Sequence, residues 1–90
     1  MKMVNYIIKF SSYAEKDKKK LKQSGLEEKA RKPLGVIQMN PFQNSPPYEK
    51  LRGDYQGGHS RRINIQHRLV YEVDEANKAV HVLRMWTHYE

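Results

Sequence analysis

The sequence predicts an α+β fold in which two N-terminal helices pack on a mostly antiparallel, twisted sheet, in the order β-α-α-β-β-β-β. Three observations carry this. Ninety residues with 38% hydrophobic side chains supply a single domain over 1–90 with one thin core. Between residues 26 and 37 apolar side chains recur at three- and four-residue steps, the period of a helix with one buried face. Between residues 59 and 89 apolar and polar side chains alternate in runs separated by turn residues, the pattern of half-buried strands.

The elements follow in order. Met3 to Phe10 carries Val4, Tyr6, Ile7, Ile8 and Phe10, a β-rich run read as the first strand. Ser11 or Ser12 offers an N-cap, and Glu15 stands three residues past Ser12, the spacing of a capping box. The helix behind it runs to about Gln23 and stops at Ser24-Gly25. Its apolar positions are Tyr13, Ala14 and Leu21, while Lys16, Lys18, Lys19, Lys20 and Lys22 cover most of its circumference. A second helix carries Leu26, Ala30, Leu34 and Ile37 on one face. Pro33 is expected to kink or shorten it, and Asn40-Pro41 to end it. Gln43 to Pro47 reads as a polar loop.

Tyr48 to Leu51 is a short strand, followed by a turn region marked by Gly53-Asp54 and Gly57-Gly58. In His59 to Ile65, Arg61, Ile63 and Ile65 share one side and Ser60, Arg62 and Asn64 the other. Arg68 to Val73 alternates as well. Gln66-His67 is a weak hairpin signal, since neither residue favours positive φ. Asp74 to Lys78 is a clearer turn, and Ala79 to Tyr89 is the last strand.

Seventeen Lys+Arg against ten Asp+Glu give a net charge of +7, which favours polyanionic partners. The first half holds mostly lysine and the second mostly arginine, whose planar fork grips phosphate in a defined geometry. The absence of cysteine excludes a disulfide scaffold, a thiolate zinc site and a cysteine nucleophile. His59, His67, His81 and His88 have no helical i, i+4 pairing, which argues against structural zinc. Gly53, Gly57 and Gly58 match no dinucleotide or P-loop spacing. No apolar run approaches the ~20 residues of a membrane span, and no signal-peptide stretch opens the chain, so a cytoplasmic location is expected.

If the strands over 59–65, 68–73 and 79–89 are neighbours, Arg62, Arg68, Glu72, Arg84 and His88 converge on one face, with Glu49 arriving from the preceding strand. Arginine, carboxylate and imidazole together suit metal-free phosphodiester cleavage. That chemistry needs a base for the 2′-hydroxyl, an acid for the departing 5′-oxygen and cations for charge growing on the phosphate. Each residue also has a plainer reading. Glu49 and His88 fit a solvated surface, Arg61-Arg62 fits an edge-strand gatekeeper, and the lysine helix fits a solvated face.

The ordered set Glu49-x-Leu51, Ser60-Arg61-Arg62-Ile63, His67-Arg68-Leu69-Val70-Tyr71 and His88-Tyr89 resembles the YoeB/Txe toxins, members of the RelE-like superfamily of bacterial toxin–antitoxin modules. The resemblance is strongest over residues 45–90 and is looser at the front. It implies a RelE/YoeB-like fold and an endoribonuclease that needs neither metal nor cofactor. Such an enzyme enters the ribosomal A site and cuts mRNA there, leaving a 2′,3′-cyclic phosphate and halting translation.

By motif, Glu49 would be the general base, His88 the general acid, Arg68 the phosphate stabiliser and Tyr89 a residue ordering the substrate. Arg61, Arg62 and Arg52 would contact RNA in the same groove. Lys16, Lys19 and Lys20 of the basic helix would contact ribosomal RNA. The implied partners are an acidic antitoxin of the YefM/Axe type, the ribosome with its mRNA, promoter DNA indirectly through the antitoxin complex, and a second copy in a homodimer; no membrane is implied. Competing readings on the same fold are a non-catalytic toxin, an RNA- or ribosome-binding module, and a ParE-like gyrase inhibitor. Two departures stand out: Gly57-Gly58-His59 where many relatives place aromatics, and Glu90 after the tyrosine that usually ends the chain.

Overall fold

A computed structural model describes residues 5–43, 48–50, 58–64 and 67–86. The elements are β1 (Ile7–Phe10), α1 (Ser12–Gln23), α2 (Glu27–Met39), β2 (Tyr48–Lys50), β3 (His59–Arg62), β4 (Arg68–Asp74) and β5 (Ala79–Arg84). Their order is the expected β-α-α-β-β-β-β. They form a five-stranded sheet in the spatial order β1-β5-β4-β3-β2. The pairs are antiparallel except β1 with β5, whose parallel register sets Ile8 beside Val80 and Phe10 beside Val82. A parallel pair needs a long crossover, and everything between β1 and β5 supplies it.

Local chemistry sets the helix ends. Ser11, not Ser12, caps α1: its Oγ accepts from the Ala14 N–H at 3.0 Å and donates to the Leu83 carbonyl at 2.7 Å. The expected Ser12–Glu15 capping box therefore does not form. Glu15 pairs with Lys18 instead. At the other end Gly25 takes φ +72°, and the N–H groups of Gly25 and Leu26 reach the carbonyls of Lys22 and Leu21 at 3.2 and 2.8 Å. This is the Schellman closure that a glycine at C′ permits. α2 runs unbroken through Pro33. The proline forgoes one intrahelical hydrogen bond, while its ring is buried and adds to the apolar face.

The helices cover one face of the sheet. Ala14, Leu21, Ala30 and Ile37 meet Ile63, Leu69, Tyr71, Val80, Val82 and Met85 in a single buried cluster. Tyr13 is not part of it and is 63% exposed. Three strands are shorter than the sequence pattern suggests: β3 ends at Arg62 rather than Ile65, with Ile63-Asn64 a bend. β1 begins at Ile7 rather than Met3, with residues 1–4 outside the described range, and β5 ends at Arg84, with Met85-Trp86 a bend. The β3–β4 connection is closed by Asn64, whose Oδ1 accepts from the His67 N–H at 2.6 Å while the Ile63 N–H reaches the His67 carbonyl at 2.9 Å. Asn64 is the turn residue that the Gln66-His67 reading passed over.

Candidate functional site

The sheet face opposite the helices carries the first group of polar residues. Glu49 of β2 faces Ser60 of β3, and Arg62 of β3 faces Arg68 of β4. Alternation then puts Glu49, Ser60, Arg62 and Arg68 on one side. Glu49 and Arg68 are two strands apart, ~10 Å at the usual strand spacing. The arginine closes this distance because the residue it crosses is a serine. Arg68 Nε donates to Ser60 Oγ at 3.2 Å, and its Nη2 reaches Glu49 Oε1 at 2.8 Å. The two partners are differently exposed: Arg68 keeps 17% of its side-chain surface and Glu49 keeps 66%. A held guanidinium beside an accessible carboxylate can receive an anion and a proton at adjacent points.

Arg61 does not belong to this site. It lies on the helix side with Leu69 and is 0% exposed. Its guanidinium donates to Tyr71 Oη at 3.1 Å, to the Pro41 carbonyl at 3.0 Å and to the Gln43 carbonyl. Tyr71 Oη in turn donates to the same Pro41 carbonyl at 2.9 Å. Arg61 therefore ties the turn after α2 to the sheet, which corrects its assignment to RNA contact: a guanidinium spent on buried backbone cannot reach a phosphate.

Arg84 is also on the helix side. Its Nε donates to Asp17 Oδ2 at 2.9 Å, so it does not converge with Arg68. Alternation through Val80 and Val82 already puts residue 84 on the buried face. Glu72 pairs across β4–β5 with His81 and is exposed. Lys16, Lys19 and Lys20 are exposed on α1, which packs on β5 and β1. They lie over the far end of the sheet from Glu49. Arg52, His88 and Tyr89 fall outside the described residues.

Asp17 is the residue that sequence reasoning missed. It is 2% exposed and accepts from the N–H groups of Met85 at 2.9 Å and Trp86 at 3.2 Å in addition to Arg84. Burial alone would raise its pKa, but hydrogen bonds from Arg84 and Met85 outweigh that and hold the carboxyl below its usual value. The signal was present, since Ala14, Asp17 and Leu21 form one i, i+3, i+7 stripe. Trp86, so fixed, stacks on His67 with ring centroids 3.9 Å apart.

His59, the departure noted above, occupies an aromatic position. Its ring sits among Phe42, Tyr48 and Tyr71, stacked on the last at 5.5 Å. Burial, followed by the charges of Lys50 and Arg61, lowers its pKa.

Comparison with known proteins adds a family. A family model described as the YoeB-like toxin of bacterial type II toxin–antitoxin systems matches residues 6–89. Toxin YoeB of Mycobacterium bovis and toxin RelK of Mycobacterium tuberculosis are each 39% identical over 56 residues, covering 62% of this chain and 64% of theirs. The chain thus spans somewhat less than two thirds of those relatives. Among solved structures, the YoeB–YefM complex from Staphylococcus aureus is similar at TM-score 0.77 and 33% identity, covering 93% of this chain and 98% of that one. The YoeB dimer from the same organism gives 0.79 at 33%, covering 94% and 99%. The YoeB/ParE toxin from Agrobacterium tumefaciens gives 0.82 at 26%, covering 92% and 99%.

Proposed function

The chain belongs to the YoeB-like toxins of bacterial type II toxin–antitoxin systems, and from that premise we propose that it is a ribosome-dependent, metal-independent endoribonuclease that cuts mRNA in the ribosomal A site. The observation that carries this reading is the Glu49–Arg68 pair, bridged over Ser60 on the sheet face opposite the helices. In the proposed reaction Glu49 takes the proton of the 2′-hydroxyl, and that oxygen attacks the adjacent phosphorus. The P–O5′ bond breaks, and His88 donates a proton to the departing 5′-oxygen. The upstream fragment ends in a 2′,3′-cyclic phosphate and the downstream fragment in a 5′-hydroxyl. Arg68 stabilises the charge that builds on the phosphate oxygens. Arg62 and Arg52 hold the RNA, Tyr89 orders the substrate, and Lys16, Lys19 and Lys20 meet ribosomal RNA.

The ribosome's part follows from proximity. A small site with one base, one acid and one clamp gains most when the 2′-hydroxyl is already aligned with the phosphorus. Free mRNA is therefore cut far more slowly than ribosome-bound mRNA. The proposed partner is an acidic antitoxin, in keeping with the +7 net charge and with the YoeB–YefM complex of the similar Staphylococcus aureus protein. A homodimer, and promoter binding through the antitoxin, belong to the same proposal.

Substitution at the two proton-transfer residues tests the reading. Glu49→Gln and His88→Gln are each expected to cut the cleavage rate by about 10²–10⁴-fold and to relieve growth arrest, with folding unchanged by circular dichroism. Undiminished toxicity in both variants would reject catalysis and favour a binding inhibitor.

A further inference from the structure

A cavity of ≈ 660 Å³ opens between α2 and the end of β3. Its floor is aliphatic, made of Pro33, Val36 and Ile63, and Lys29, Lys32 and Arg62 stand around it. Lys29 and Lys32 are three residues apart and share one face of α2. Arg31, between them, is engaged by Glu27 at 3.3 Å and Glu28 at 2.8 Å. Among the described residues, Lys29, Lys32 and Arg62 form no ion pair, and no carboxylate lines the cavity.

Arg62 also stands directly across from Arg68 in the β3–β4 register. Like charges so placed weaken a strand pair. Arg68 is met by Glu49 at 2.8 Å, whereas Arg62, with no ion pair among the described residues, lines the cleft. Three uncompensated cations around one concavity leave a positive potential that an anion would offset.

We infer that this cleft is a phosphate-binding extension of the RNA path, gripping the backbone of the single-stranded substrate beside the Glu49–Arg68 pair. The inference rests on the nuclease reading above and adds Lys29 and Lys32 to it. Continuity through Arg62 favours the substrate strand over an acidic peptide as the occupant. Among the described residues the cleft lining holds no aromatic ring, so these residues offer no stacking platform for a base. It therefore holds the backbone without reading sequence.

The test is the binding of a mixed-sequence, fully 2′-O-methylated RNA oligonucleotide, which cannot be cut, by fluorescence anisotropy over a range of salt concentrations. Lys29→Gln/Lys32→Gln is expected to weaken binding at low salt and to make the slope of log K against log[salt] shallower by about 1.4, two charges at ~0.7 each on a single strand. Lys9→Gln/Lys78→Gln removes the same charge elsewhere and is expected to leave the slope unchanged. An unaltered slope in the cleft variant, or an equal change in both, overturns the inference. So does normal oligonucleotide binding with loss of either ribosome association or antitoxin binding, which would assign the cleft to ribosomal RNA or to the protein partner. Cleavage by the wild type with cleft-independent binding rejects the cleft and keeps the nuclease. Cleft-dependent binding by a wild type that cuts no RNA does the reverse.

Discussion

Two adjacent arginines, Arg61 and Arg62, have opposite fates because a strand turns successive side chains to opposite faces. Arg61 is sealed against Tyr71 and the carbonyls of Pro41 and Gln43. Arg61→Ala strands those acceptors and leaves a cavity, so it is expected to cost about 2–4 kcal/mol in chemical denaturation. A loss under 1 kcal/mol would contradict its structural role. His59 makes a second prediction at this scale. Its folded-state pKa is lowered by burial and by Lys50 and Arg61, so the unfolded chain binds the proton more readily. Its contribution is intact above the ordinary histidine value of about 6.5 and declines as pH falls below that. His59→Phe fits the same aromatic surroundings and removes the titration. Its stability is expected to change less than wild type between about pH 7 and pH 5; parallel profiles would contradict the assignment. At the site itself, Ser60 matters because it is small. Ser60→Val would lift Arg68 off its route to Glu49, and cleavage should fall although neither reacting group has changed.

At the scale of elements, α1 is fastened to the sheet at two points. Ser11 caps the helix and reaches Leu83, and Asp17 receives Arg84, Met85 and Trp86. Asp17→Asn keeps the shape but loses the charge, and a cost of about 2–3 kcal/mol is expected from thermal melts. The sign with pH follows from the lowered pKa. The stabilisation is complete above the unfolded-state value of about 3.9 and is lost as pH falls through the folded-state value below it. Wild type and Asp17→Asn should therefore converge in acid, and a constant difference down to low pH would contradict the brace. These two fastenings were only half legible in the sequence. The serine cap and the Gly25 stop are local signals, and both were readable, with Ser11 and Ser12 left as alternatives. A buried aspartate on a helix otherwise covered with lysine looks like one more charge until the end of β5 supplies its donors. Pro33 did not shorten α2, which continues to Met39, because its steric rule is local whereas the burial that offsets it is tertiary.

For the molecule as a whole, element order and core were legible because periodicity reports which face is buried, and that was enough to give an α+β sheet with its helices on one side. Glu49 and Arg68 also came together as alternation required. The assignments that failed, Arg61 and Arg84, were made by residue type where face was the deciding fact. Charge is the remaining property at this scale. Two basic regions, the exposed lysines of α1 and the cleft of Lys29, Lys32 and Arg62, lie over different parts of the sheet. Salt should thus weaken ribosome association through both regions, and removing either should leave part of the dependence in place. The central claim is tested most directly by primer extension on an mRNA in a purified translation mixture, with ribosomes present or absent, using toxin stripped of metal by EDTA and dialysed before it is added. The account predicts a discrete cut within the A-site codon that requires ribosomes and is undiminished with the metal-stripped toxin. Blocked translation with intact mRNA would contradict it and remove Glu49 and His88 from any catalytic role.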